Sequence, residues 1–337
     1  MSFTYVARRS FSTTMSMASS ELSAIRHLVS ISDLSTPELR SLVSRAAYHK
    51  KLIKSGKAST SLPLQGKTIA LLFTKRSTRT RISTEGAAAY FGAHAMFLGK
   101  DDIQLGVNEC LYDTTKVISS MTSCIFARVN KHSDIQELCR YSSVPIVNAL
   151  CDTYHPLQAI CDMLTIKETF GNTKGLKLAW IGDANNVIND LAIAALRMGI
   201  SVSVATPQDV NISEHVQKVA EEVSEETHAH IELTHDPKIA AANADIIVTD
   251  TFVSMGEEAQ TKRKLAKFQD FQITSSLGSI AAPGWKFMHC LPRHKFEVTD
   301  DVFYGKHSIV FPEAENRLYA AIAVIEALVV NKGKFIE

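Results

Sequence analysis

The chain has 337 residues, 45% of them apolar, and a formal net charge of +1. That length accommodates two domains with a core each, and the near-neutral balance argues against nucleic acid or an anionic membrane as the main partner. No apolar run reaches the roughly 20 residues of a membrane-spanning helix, and the six cysteines show neither a CxxC pair nor a metal-ligand spacing, so free thiols, mostly buried, are expected.

Residues 1–20 hold no acid; Arg8 and Arg9 stand among Ser and Thr with Phe3, Tyr5, Val6 and Phe11, and the first carboxylate is Glu21. This composition predicts a transit peptide, with the mitochondrion as destination. Ser35-Thr36-Pro37-Glu38 then reads as a helix start: hydroxyl cap, early Pro, acid in the first turn. Strand-like runs at Thr68–Phe73, 93–98, 124–129 and 145–148 alternate with helical segments at Thr78–Tyr90, 112–121 and 133–141. A long helix near 155–170 leads to a second series of strands at 178–181, 202–205, Ile231–Thr234, Ile246–Thr249 and 287–289. A last helix is expected from Pro312-Glu313, with Leu318, Ile322, Ile325 and Val329 on one stripe.

The alternation indicates an α/β protein of two domains, each a central parallel sheet flanked by helices, with the active site in the cleft between them. The expected division is 1–20 transit peptide, 21–165 first domain with the helix 312–337 packed back on it, and 166–311 second domain.

In open α/β sheets ligands sit beyond the carboxyl ends of strands, and polar groups fall at those ends here. After the first strand come Ser77, Thr78, Arg79 and Thr80, where helix N–H groups, hydroxyls and a guanidinium suit a phosphate dianion. Arg128 ends the third strand; His155-Pro156-Leu157-Gln158 follows the fourth. In the second series the strand ends carry Gly182-Asp183-Ala184-Asn185-Asn186, then Asp250 with Ser254-Met255-Gly256, then His289-Cys290-Leu291-Pro292-Arg293. A nicotinamide dehydrogenase is disfavoured, because the Gly182 turn lacks the second and third glycines of a dinucleotide fingerprint. No cofactor and no metal are expected.

The Ser-Thr-Arg-Thr-Arg stretch, the His-Pro-x-Gln tetrad, Asp250 with Ser-Met-Gly, and His-Cys-Leu-Pro-Arg resemble the transcarbamylase family, in order and spacing, from about residue 25 to 335. Cys290 favours its ornithine branch, since the aspartate branch carries Pro there. The resemblance implies carbamoyl transfer from carbamoyl phosphate to the side-chain amine of L-ornithine, giving L-citrulline and phosphate, as a step of arginine synthesis or urea formation in the mitochondrial matrix. It further implies that Ser77, Thr78, Arg79 and Thr80 hold the phosphate. Arg128, His155, Gln158 and Arg317 would contact the carbamoyl part, while Asn186, Asp250, Ser254 and Met255 would bind ornithine. Cys290 and Leu291 would sit over the reacting centre, and Gln104 would reach a neighbouring subunit's site in a homotrimer. Of the catalytic residues Cys290, Arg128, His155 and Asp250, the second and third would polarise the carbonyl, Asp250 would orient the amine, and Cys290 would take its proton directly or through a relay. Phosphate bound at Arg79 is expected to close the cleft before ornithine enters.

Overall fold

A computed structural model describes residues 25–57, 61–103, 108–253 and 261–336; the expected transit segment lies outside them. The first unit runs α1 (Thr36–Lys54), β1 (Thr68–Phe73), α2 (Thr78–Tyr90), β2 (His94–Gly99), α3 (Leu111–Met121), β3 (Cys124–Arg128), α4 (His132–Tyr141), β4 (Ile146–Leu150) and α5 (Pro156–Phe170). The second runs β5 (Lys177–Ile181), α6 (Asn186–Arg197), β6 (Ser201–Ala205), α7 (Glu214–Thr227), β7 (Ile231–Thr234), α8 (Pro237–Ala241), β8 (Ile246–Thr249), α9 (Thr261–Lys267), α10 (Ser275–Gly278), β9 (Lys286–His289) and α11 (Asp300–Phe303). The chain closes with α12 (Val310–Ile325), which passes into a π-helical turn over Glu326–Val330. This helix begins two residues before the expected Pro312, because Val310 is buried and extends the apolar face N-terminally.

All strand pairs within the two sheets are parallel, in the orders β2-β1-β3-β4 and β7-β6-β5-β8-β9. Crossover helices cover both faces, which is why the inner strands read as unbroken apolar runs: Ile69, Ala70, Leu71 and Leu72 are wholly buried. The edge strand β7 exposes Glu232 and Leu233 instead. At α1 the hydroxyl of Ser35 caps Glu38 N while the Glu38 carboxylate returns to Ser35 N at 2.8 Å, a closed capping box. α12 packs against α2, α5 and α1, so the C-terminal helix returns to the first unit.

Topology decides where a ligand can sit. In the first sheet the chain goes one way from β1 to β2 and the other way to β3, so the crevice opens between the carboxyl ends of β1 and β3. The second sheet has the same reversal between β5 and β8. There the β5–α6 turn approaches β8 so closely that a Cβ on Gly182 (φ +155°) would meet Thr249 Oγ1 at 3.1 Å and Phe252 at 3.2 Å. Glycine is required at that turn.

Candidate active site

Register places the first group of residues. Phe73 pairs with Arg128 across β1 and β3, so the Ser77 turn and the Arg128 side chain share the same edge. Ser77 caps α2 through Oγ to Thr80 N at 3.2 Å. The N–H groups of Thr78 and Arg79 in the first turn lie outside the helix's own ladder and face the crevice end. Thr78 is exposed, Ser77 and Arg79 are half-buried, and Thr80 is buried. Arg128 is buried; burial, followed by the nearby Arg317 and Arg79 guanidiniums, pulls its pKa down to about 10.

His155 caps α5, Gln158 stands one turn along it, and Arg317 comes from α12. Arg317 Nη1 donates to Gln158 Oε1 at 2.6 Å and lies 3.1 Å from His155 Nε2; Nη2 donates to Thr80 Oγ1 at 3.3 Å. A guanidinium only donates, so His155 Nε2 is the acceptor and the ring proton sits on Nδ1. The ring stays neutral, because burial first, then Arg317, Arg128 and Arg79, push its pKa well below 6.5. His155 Nδ1, Arg128 Nε and Arg317 Nε are buried without a hydrogen-bond partner among the described residues. Three guanidiniums and an imidazole N–H therefore converge, with donors to spare, beside a helix N-terminus. That arrangement suits a small oxyanion carrying a carbonyl group.

The second group follows from β8 and β9. Thr249 pairs with His289, so the next residues, Asp250 and Cys290, emerge side by side. Cys290 Sγ donates to Asp250 Oδ1 at 3.1 Å, and Asn185 Nδ2 donates to Oδ2 at 2.8 Å. Burial, then the Asp250 carboxylate, raises the Cys290 pKa well above 9. With its thiol donating to Asp250, Cys290 is placed for the relay expected of it, through that carboxylate, rather than for direct proton uptake. Leu291 holds a left-handed backbone (φ 61°), a conformation costing a non-glycine residue ~1–2 kcal/mol. It is fixed at both ends, by Leu291 N donating to His289 Nδ1 at 2.9 Å and by Arg79 Nη2 donating to Leu291 O at 2.5 Å. The latter bond joins the first unit to the second.

Ser77, Thr80, Arg79, Arg128, His155, Gln158, Arg317, Asp250, Cys290 and Leu291 are thus linked by position or contact. Asn186 lies beside them, with its Nδ2 donating to Cys151 O at 2.6 Å. Gln104, Ser254 and Met255 lie outside the described residues. Asn185 stood in the sequence only as part of the Gly182–Asn186 turn, and its hold on Asp250 was missed. So was Asp190 on α6, which accepts His155 N–H at 2.7 Å and Ile31 N–H at 2.7 Å and ties the α5 cap to the second unit. An acid inside the otherwise largely apolar helical run after Asn186 was its only sequence signal. All six cysteines are free; Cys124, Cys151 and Cys161 are buried, Cys139 and Cys290 intermediate, and Cys110 exposed.

The family model described as the carbamoyl-P binding domain of aspartate/ornithine carbamoyltransferase matches residues 26–168, and the Asp/Orn binding domain model matches 174–328. A mitochondrial ornithine transcarbamylase of Pachysolen tannophilus is 63% identical over 335 residues, covering 98% of this chain and 96% of its own length. An ornithine carbamoyltransferase of Saccharomyces cerevisiae is 60% identical over 334 residues, covering 95% of this chain and 99% of its own. The crystal structure of a mitochondrial ornithine carbamoyltransferase from Coccidioides immitis superposes with a TM-score of 0.87 at 54% identity, over 93% of this chain and 100% of that one. The ornithine carbamoyltransferase from Pyrococcus furiosus gives 0.88 at 42% identity, over 91% and 98%. Matched in order through both halves and closely similar along nearly its whole length, the chain belongs to the aspartate/ornithine carbamoyltransferase family.

Proposed function

We propose that this protein transfers the carbamoyl group of carbamoyl phosphate to the side-chain amine of L-ornithine, forming L-citrulline and phosphate. The observation that carries the reading is the convergence of Arg79, Arg128 and Arg317 with a neutral, Nδ1-protonated His155 at one strand edge, opposite Asp250 and Cys290.

The phosphate binds at Ser77, Thr78, Arg79 and Thr80, where hydroxyls, first-turn N–H groups and a forked guanidinium meet a dianion. Arg128 and His155 Nδ1–H donate to the carbonyl oxygen, and their donation strengthens as that oxygen becomes negative in the tetrahedral transition state. Gln158 and Arg317 hold the carbamoyl end. The substrate's side-chain ammonium is met by the Asp250 carboxylate, with Asn186, Ser254 and Met255 around the amino acid. Asp250 takes one ammonium proton, the neutral amine forms the new C–N bond, and the C–O bond to phosphate breaks with its electron pair leaving on phosphate oxygen. Cys290 shares its proton with Asp250 and thereby adjusts the carboxylate rather than replacing it.

Finer assignments belong to the same proposal. The two units divide at α5, with the carbamoyl phosphate domain at 21–165, α12 packed back on it, and the ornithine domain at 166–311. Residues 1–20 act as a leader to the mitochondrial matrix, in keeping with the relatives named mitochondrial. A homotrimer with Gln104 reaching the next subunit is supported by the exposed Ile82, Met96 and Met121 on the α2, β2 and α3 side. The product feeds arginine synthesis or urea formation.

A citrulline colour assay on the purified chain, with carbamoyl phosphate and a panel of ornithine, putrescine, lysine, N-acetylornithine and aspartate, tests the reading. Ornithine should be preferred; no citrulline would end it, and a different preferred amine would move it. Cys290→Ser should raise KM for ornithine by ~3- to 10-fold through the weakened Asp250 contact. The alkaline limb of its pH–kcat profile should be unchanged, because the thiol does not ionise there. A limb that disappears in this variant would make Cys290 the base after all.

A further inference from the structure

One buried pair is not used by the chemistry above. Asp162 on α5 and Glu313 on α12 are each 1% exposed and face one amide. Gln158 Nε2 donates to Asp162 Oδ1 at 2.8 Å and to Glu313 Oε1 at 3.1 Å, while Gln158 Oε1 is held by Arg317, which fixes the orientation of the amide. Glu313 Oε2 accepts the backbone N–H of His289 at 2.9 Å, one residue before Cys290. Neither carboxyl makes an ion pair among the described residues. We propose, on the basis of the function given above, that Glu313 is a positioning residue: it shares one proton with Asp162 and pins the His289–Cys290 turn to Gln158.

Two carboxylates in contact in a dry site cannot both be charged without a cation between them. Burial is the main cause raising both pKa values, and each carboxyl lies in hydrogen-bond contact with the other. One proton serves the pair: held on Glu313, it is donated to Asp162 while the Glu313 oxygens still accept from Gln158 and His289. The titratable and charged groups facing the pair are Cys161 from α5, Arg317 from α12, Asp250 after β8 and Cys290 after β9. A line of contacts results: Arg317 donates to Gln158, Gln158 to Glu313 and the His289 N–H to Glu313, and one peptide link on, Cys290 donates to Asp250. It couples the carbamoyl side of the site to the amine side through Glu313, which itself touches neither substrate.

Three variants of the full chain test this. Glu313→Ala strands a buried N–H, and should lower kcat by ~10- to 100-fold and raise KM for ornithine, with KM for carbamoyl phosphate within ~3-fold. Glu313→Gln keeps a carbonyl for His289 and an N–H for Asp162 but puts a donor where Gln158 Nε2 donates, and so should recover only part of the kcat lost in Glu313→Ala, to within ~10-fold of the parent. Infrared difference spectra at neutral pH should contain a protonated-carboxyl band in the parent that is lost in Glu313→Gln and in Asp162→Asn. A parent without that band, a Glu313→Ala enzyme with parental kcat, or a Glu313→Gln enzyme as impaired as Glu313→Ala would overturn the proposal. Should Glu313→Ala not fold, Glu313→Gln and the infrared band decide it. A parent that makes no citrulline would instead overturn the function, leaving the band to decide the shared proton.

Discussion

Replacing Arg79 by alanine should lower kcat/KM by ~30- to 5,000-fold, the range for losing one partner of a desolvated, charge-assisted contact. Two roles are lost together, the fork to the phosphate and the bond from Nη2 to Leu291 O that ties the first unit to the loop carrying Cys290. The fold should be nearly untouched. Arg79 is half-buried near a helix start, and its charge sits close enough to Arg128 to contribute to depressing that residue's pKa. Its removal relieves repulsion in the ligand-free protein, so Tm should stay within ~2 °C of the parent. The rise in Tm that saturating carbamoyl phosphate gives the parent should vanish. Near-parental kcat/KM in this variant would remove the phosphate assignment. Since one guanidinium touches both the phosphate site and Leu291, carbamoyl phosphate should also tighten ornithine binding in the parent and fail to do so in Arg79→Ala. Calorimetric titration of an ornithine analogue that lacks the side-chain amine, and so cannot turn over, with and without carbamoyl phosphate reads this directly.

His155→Ala should reduce kcat by ~100- to 1,000-fold, the usual loss for one oxyanion donor. The argument is tautomeric: Arg317 occupies Nε2, so the Nδ1–H is the group left to meet the carbonyl oxygen. His155→Gln offers a carbonyl to Arg317 and an amide donor to the substrate, and should recover about tenfold of that loss. The pH dependence has a definite sign. The folded pKa lies well below 6.5, so the unfolded chain binds the extra proton first as pH falls. The stability associated with the neutral ring is present above about pH 6.5 and is lost below it as the folded pKa is approached. Thermal melts of His155→Gln should therefore fall less steeply than the parent's between about pH 6.5 and 5. Turnover in the parent should have no imidazole limb near pH 6.5; a limb there that disappears in His155→Gln would mean that the charged ring is the working form.

By itself the sequence determined the elements and the phosphate corner. Inner parallel strands buried on both faces read as apolar runs, so Thr68–Phe73 and Ile246–Thr249 could be bounded to the residue; the edge strand Ile231–Thr234 followed from its place in the alternation, and α2 from its Ser77 cap. Short motifs at strand ends carry their chemistry locally, which made Ser77–Thr80, His155 with Gln158, and Asp250 recognisable in a linear reading. The tertiary structure alone decided how those groups act on each other. Whether Cys290 ionises depends on Asp250, 40 positions earlier, and the tautomer of His155 depends on Arg317, 162 positions later. Asp190 and Glu313 resembled ordinary surface acids until packing buried them against backbone N–H groups from distant segments. Hydrogen-bond direction and desolvation are properties of neighbourhoods in space, and a chain written in order holds them only implicitly.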